Sequence, residues 1–249
     1  AGWLTDHDLR APRILSAQPE QGLVLLEDFG DARMRDWLDD HAGGEDAVYA
    51  AAIDTLVALH QHPAGPFPPY DLTVYQREAA LFVEWYCPAM GLKVDAQGWH
   101  DAWEQVLEPL MARQAPGVTV LRDYHAENIM LLDDGAQGLI DFQDALVGHR
   151  AYDLVSLLQD ARRDVPPELE TAMLDRYCTA AGSDDAFRAD YARLGAQRNA
   201  KIVGIFARLW KRDGKARYLA FIPRVWDALE RDLRDPALAP VAAWFAANI

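Results

Sequence analysis

Asp123, Asn128 and Asp141 are the residues of this chain whose types and spacing could do chemistry together. Leu121-Arg122-Asp123-Tyr124-His125-Ala126-Glu127-Asn128 is a polar loop between two apolar runs. Leu139-Ile140-Asp141-Phe142-Gln143-Asp144 ends a further run in carboxylates, and Asp133-Asp134-Gly135 between them is a turn signal. With the turn centred on Gly135, Asn128 lies opposite Phe142 and Ile129 opposite Asp141. The Asn128 amide and the Asp141 carboxylate then share the open end of one hairpin, about 5 Å apart between Cα atoms or one residue further. Asp123 stands at the near end of the loop feeding that strand. Three converging oxygen-bearing side chains suit Mg²⁺, a hard ion that takes much of its shell from water and substrate phosphates.

Each residue also has a plainer reading. Asp123 by itself could be a turn residue, and the D-x-x-x-x-N pair on its own is a weak signal. His125 could ligate a metal, but His60 and His62 sit i, i+2 on a helix and cannot share its face, and no Cys or His lies at zinc spacing. His125 is therefore read as positioning the loop. Asp144 and Asp153 could be helix caps, and for Asp153, just ahead of Leu154, a cap or loop anchor is the reading adopted. Arg162 and Arg163 are read as solvated or paired with acids.

These residues need elements to hold them. Short apolar runs at 13–17 and 23–28, separated by Pro19 to Gly22, predict a β-hairpin. Val48, Ala52, Leu56 and Leu59 predict a helix stopped by Pro63, and Leu81 to Tyr86 a second apolar face ending near Pro88. Trp99, Trp103, Val106, Leu107 and Leu110 predict a third helix, which Pro109 should kink or shorten. The eight tryptophans are read as core packing at helical spacing, ahead of stacking platforms. In the middle, 118–122, 128–132 and 138–142 predict three short strands. Beyond them, Leu154 to Ala161, Leu169 to Tyr177 with Gly182 as cap, and Ile202 to Trp210 with Gly214 as cap predict helices.

Composition sets the outer bounds. Half of the 249 residues are hydrophobic (51%) and a quarter charged (25%), an ordinary globular balance. The net charge of −15 disfavours a nucleic-acid partner, would suit a cationic ligand, and serves solubility in any case. No apolar run is long enough for a membrane-spanning helix. Two distant cysteines, Cys87 and Cys178, offer no disulfide framework, which fits a reducing cytosol and a cytoplasmic protein.

The order Asp123, Asn128, Asp141-Phe142 matches a kinase catalytic loop followed by a D-F-G-like metal site. On these motifs the chain resembles the aminoglycoside phosphotransferase and choline kinase-like family. Within it, the chain most resembles the bacterial anomeric kinases of N-acetylmuramate and N-acetylglucosamine that act in cell-wall sugar recycling. That narrower resemblance is carried by Leu25 to Asp31, Leu121 to Asn128, Asp141 to Ala145, Tyr152 to Asp164, Gln197-Arg198-Asn199 and Gly204 to Leu209.

The resemblance implies an α+β, bilobal protein-kinase-like fold. Residues 1–30 would be a remnant of the N-terminal lobe and hinge, and 31–249 a mostly helical C-terminal lobe with a small catalytic hairpin. It implies ATP and Mg²⁺ as cofactors and a small-molecule sugar as substrate, with no nucleic-acid or membrane partner. Asp123 would be the catalytic base, Asn128 and Asp141 the magnesium ligands, and Glu27, Asp28 and Phe29 the hinge whose backbone meets adenine. His125, Gln143, Asp144, Arg198 and Asn199 are the polar candidates for the sugar, Arg198 or Arg122 serving a lactyl carboxylate. Leu121 stands where protein kinases have the loop histidine, and Gln143 where they have a glycine. No glycine-rich loop precedes the hinge and the first lysine is Lys93, so an N-terminal block is expected to be missing and this stretch by itself to be a poor kinase. Rival readings are an aminoglycoside or other amino-alcohol kinase, and a non-catalytic nucleotide- or sugar-binding protein.

Overall fold

The apolar runs in the middle of the chain pair off in twos and never assemble one large sheet. The computed structural model describes residues 1–41 and 43–249. Among them the strands are β1 Ile14–Gln18, β2 Leu23–Leu26, β3 Val118–Val120, β4 Ile129–Leu131, β5 Gln137–Leu139 and β6 Leu146–Gly148. They form three antiparallel pairs, β1–β2, β3–β6 and β4–β5, and helices make up most of the remainder. The class is α+β. The chain divides into two compact units: residues 1–68, 118–158 and 166–183, and residues 69–117, 159–165 and 184–249. The lobe boundary expected at residue 30 falls inside the first unit.

In the first unit the helix Glu45–Gln61 buries Tyr49, Ala52, Ile53, Leu56 and Leu59 along one stripe. Glu45 and Asp46 in its first turn complement the helix dipole, and it ends ahead of Pro63. It packs against the helices Ala151–Leu158 and Pro167–Ala181. Arg176 holds Asp54 in a two-pronged ion pair at 2.8 and 2.6 Å, and His60 Nδ1 lies 2.7 Å from the Tyr177 hydroxyl. Burial, and then the Arg150 charge, pushes the His60 pKa down to about 3. The β1–β2 hairpin is different, since every residue of both strands is exposed.

The β4–β5 hairpin is tied to the chain's first segment on both sides. Leu139 N donates to Arg10 O at 2.7 Å and Leu131 N to Ala32 O at 2.7 Å. Gly138 is glycine for a reason of space. A Cβ there would lie 2.6 Å from two carbons of the Phe29 ring, which sits on the strand.

The second unit is helical. The helix Asp185–Asp213 packs against Leu72–Leu81 and Ile222–Asp232, and Ala96–Gln114 packs against Leu72–Leu81 and Ala239–Asn248. Gly204 lets the long helix approach closely, because a Cβ would fall 2.3 Å from the Leu81 carbonyl. Pro109 does not shorten its helix, and Ala96–Gln114 runs through it. Proline removes one backbone hydrogen bond there, while Val106, Leu107 and Leu110 on either side are fully buried and outweigh the loss. Of the eight tryptophans expected in the core, Trp99, Trp103 and Trp244 are buried, and Trp3, Trp37, Trp85, Trp210 and Trp226 are half-buried. Trp99 packs on Phe82 and Trp244 with ring centroids 5.1 and 4.5 Å apart. Among the described residues no helix is long and apolar enough to cross a membrane.

Candidate active site

The loop after β3 is held by its backbone. Asp153, fully buried at the start of the helix Ala151–Leu158, accepts from Leu121 N at 2.6 Å and Arg122 N at 2.8 Å. Ser156 Oγ donates to Arg122 O at 3.2 Å, so both polar groups of that peptide segment are engaged from one helix. Arg122 itself sits at φ 72°, a conformation that costs a non-glycine residue about 1–2 kcal/mol and persists where the surroundings enforce it. The anchor reading of Asp153 holds. Tyr124 O–H donates to Ala52 O at 2.8 Å, and burial raises its phenol pKa. Arg35 reaches Glu127 at 2.7 Å.

Asp123 is left half-buried at the centre of this scaffold. Its carbonyl accepts from His125 N at 3.1 Å and from Asn128 Nδ2 at 2.9 Å. Its carboxylate has no hydrogen-bond partner among the described residues, which leaves it open to a proton donor. His125 is 3% exposed and its carbonyl accepts from Asn128 N at 2.8 Å, closing the turn Ala126–Asn128.

The hairpin register differs from the one the sequence suggests. Ile129 pairs with Leu139, Met130 with Gly138 and Leu131 with Gln137, so β5 ends two residues before Asp141. The cause is the turn. Leu132 N bonds Ala136 O at 3.0 Å and Gly135 N bonds Leu132 O at 2.9 Å, with Gly135 left-handed at φ 82°. The loop is thus the three residues Asp133, Asp134 and Gly135, centred one place earlier than Gly135. Ile140 N still bonds Asn128 O at 3.1 Å. The chain then turns at Asp141, whose φ is 60°. Asn128 Nδ2 comes within 3.3 Å of Asp141 Oδ2, and Gln143 Nε2 within 2.7 Å of Asp141 Oδ1.

This donor set fits a hard divalent cation. Both Asn128 amide protons are engaged, on the Asp123 carbonyl and the Asp141 carboxylate, which are acceptors without exception. Oδ1 is therefore the atom Asn128 offers outward, beside an exposed carboxylate. An amide oxygen and a carboxylate are what Mg²⁺ takes from protein while keeping room for water and phosphate.

The remaining candidates are placed as follows. Asp28 Oδ1 accepts from Gly30 N at 2.8 Å. Glu27 is gripped by Arg13 through Nε at 3.0 Å and the backbone N at 3.2 Å, which holds its carboxyl below the usual range. The Arg10 guanidinium lies 5.5 Å from the Phe29 ring centroid. Gln143 and Asp144 are exposed beside Asp141. Arg198 and Asn199 belong to the second unit, on the helix Asp185–Asp213, at 5% and 0% exposure. Asn199 Nδ2 donates to Gln159 at 2.7 Å and Asp232 at 3.3 Å. The site's geometry adds one residue absent from the sequence reading, Ser156, which gave no signal beyond lying on the Asp153 helix. Gln143, read from the sequence as a sugar candidate, is found on the Asp141 carboxylate.

The fold and this loop-and-hairpin arrangement are those of a kinase-like phosphotransferase. The model of the phosphotransferase enzyme family (APH) matches residues 1–197, and the chain belongs to that family. It is 44% identical over 264 residues to the N-acetylmuramate/N-acetylglucosamine kinase of Caulobacter vibrioides, covering 98% of this chain and 72% of the relative. To the kinase of the same description from Pseudomonas aeruginosa it is 38% identical, covering 99% and 75%. In fold it is similar to a choline/ethanolamine kinase family protein from Mesorhizobium loti, with TM-score 0.65 at 15% identity, covering 95% of this chain and 80% of that one. The ADP-bound aminoglycoside phosphotransferase APH(2'')-Ib matches with TM-score 0.60 at 13% identity, covering 93% and 80%. The protein is a small-molecule phosphotransferase.

Proposed function

We propose that this protein transfers the γ-phosphoryl group of ATP to the anomeric hydroxyl of N-acetylmuramate, N-acetylglucosamine or both, in the cytoplasmic recycling of cell-wall sugars. The observation that carries the reading is the Asn128 amide, which bonds the Asp123 backbone and the Asp141 carboxylate at once and so locks the base-bearing loop to the cation-binding turn. Asp123 takes the proton of the sugar hydroxyl as the oxygen attacks. Asn128 Oδ1 and Asp141 hold Mg²⁺, which when bound neutralises charge on the phosphates. The segment Glu27 to Phe29 meets the adenine through its backbone. Asp144, exposed beside the turn, is the polar group proposed to meet the sugar, with His125 ordering the loop from a buried position. Phosphoryl transfer of this kind relies on positioning and electrostatics more than on covalent chemistry by the protein.

The net charge of −15 favours a second reading, a cationic acceptor such as an aminoglycoside or amino alcohol. A non-catalytic binder is the weakest rival, since it has no use for a base at Asp123. The test is to incubate the product of the complete reading frame containing these residues with ATP and N-acetylmuramate, N-acetylglucosamine, kanamycin or choline, and to locate the phosphate by NMR. Phosphate on C1 of an N-acetyl sugar supports the proposal. Phosphate on C6, or turnover with the cationic compounds and not the sugars, overturns it.

A further inference from the structure

We infer that Gln143 is a positioning residue for the Asp141 carboxylate, an inference that rests on reading Asp141 as a cation ligand. Asp141 is exposed and sits on a strained left-handed backbone, so nothing in its packing fixes the plane of its carboxylate. Two amides do so. Gln143 Nε2 donates to Oδ1 at 2.7 Å and Asn128 Nδ2 to Oδ2 at 3.3 Å, one on each oxygen.

The chemistry of the clamp matters as much as its geometry. Each carboxylate oxygen accepts more than one hydrogen bond or ligand, so each keeps a lone pair for a cation after taking one amide proton. An amide donor is neutral and leaves the full negative charge of Asp141 in place, which a lysine or arginine in the same position would offset. The Gln143 assignment is fixed by its partner, since a carboxylate accepts and cannot donate. The glycine that protein kinases carry at this point of the motif has no side chain to supply such a donor. Groups that orient a metal ligand from behind are typically worth 10–100-fold in metal affinity. The same i, i+2 relationship that brings Gln143 onto Oδ1 makes the clamp local, so removing it leaves the hairpin ladder untouched.

The experiment measures Mn²⁺ binding by electron paramagnetic resonance in the presence of a non-hydrolysable ATP analogue, on the product of the complete reading frame. Gln143→Met keeps the side-chain length and removes the donor, and Gln143→Ala removes both. Both are expected to weaken nucleotide-dependent Mn²⁺ binding about 10-fold or more, to raise the Mg²⁺ concentration for half-maximal turnover in parallel, and to leave the KM for the sugar unchanged. Asp141→Asn is the reference for the underlying reading and should lose more affinity than either. Wild-type Mn²⁺ affinity in Asp141→Asn overturns the assignment of Asp141, whatever Gln143 does. Lost affinity in Asp141→Asn with wild-type affinity in Gln143→Met overturns the positioning role. A raised sugar KM with unchanged metal affinity overturns it too, and makes Gln143 a sugar contact.

Discussion

Asn128 Nδ2 lies 3.3 Å from Asp141 Oδ2 although the β-ladder that should bring them together stops at Leu139. A positive φ at Asp141 makes up the difference, folding the chain back toward β4 after the last ladder bond. The pair is therefore set by a local backbone twist on top of strand pairing. Glycine at 141 would adopt that twist without strain but would carry no carboxylate, so the strain of about 1–2 kcal/mol is the cost of placing a charged group there.

Asp123→Asn should leave the fold intact, because the Asp123 carboxylate makes no hydrogen bond among the described residues and only its carbonyl is used. Turnover should fall on the order of 10²–10⁴-fold. Steady-state kinetics alongside a thermal melt check this, and near wild-type turnover would remove Asp123 from the role of base.

Asp153→Ala should be among the most damaging single changes in the first unit. It strands the Leu121 and Arg122 amide protons, and Leu121 is 3% exposed. Hydrogen bonds to a charged acceptor contribute about 1.5–3 kcal/mol each, so a loss of about 3 kcal/mol or more is expected in denaturant melts. Release of Arg122 from φ 72° should lower turnover as well. A loss under 1 kcal/mol would mean that water replaces Asp153 at both amides.

Stability should fall as the solution becomes more acidic than the ordinary histidine range, and His60 should be a cause. Its folded-state pKa is pushed down to about 3 by burial, then by the Arg150 and His149 charges. The unfolded chain binds that proton near pH 6.5 and the folded chain does not, so the contribution of His60 is complete above about pH 6.5. It is lost at up to about 1.4 kcal/mol per pH unit on the way down to pH 3. Denaturant melts of the wild type and His60→Leu between pH 7.5 and 4.5 check the sign. The variant should be less stable at pH 7.5 and show a flatter slope, whereas equal slopes would take His60 out of the acid response.

The candidate site was legible to different depths in the sequence. Asp123, Asn128 and Asp141 were legible because short-range spacing and residue type carry them, and hairpin pairing needs little tertiary information. The register was not, since whether a D-D-G turn closes with two or three loop residues depends on the left-handed Gly135 and the bonds across Leu132 and Ala136. The strand Leu146–Gly148, three residues long and paired with the distant Val118–Val120, has no periodicity to read. Pro109 misled for the opposite reason: burial of Leu107 and Leu110 overrides a local helix-breaking preference. Arg198 and Asn199 stood out as polar residues on an apolar helix. Their burial, and the Asn199 bonds to Gln159 and Asp232, come from long-range packing that spacing does not encode.

Gly138→Ala should disturb the segment 27–29 and the β4–β5 hairpin together in a measurable way. The new Cβ would lie 2.6 Å from the Cδ2 and Cε2 atoms of Phe29, and no carbon contact is tolerated at that distance, so the ring must move. Phe29 follows directly on Glu27 and Asp28, the segment proposed to meet adenine. Nucleotide affinity should therefore drop several-fold, and stability by about 1–3 kcal/mol, the range for overpacking a filled site. Phe29→Ala removes the obstruction, so adding Gly138→Ala to that background should cost little further. The two changes should be non-additive, with a coupling of about 1 kcal/mol or more. A full double-mutant cycle on ADP binding by calorimetry and on denaturant stability measures this. Simple additivity in both would mean that the Phe29 ring swings aside freely and that the segment 27–29 and the β4–β5 hairpin are not joined through Gly138.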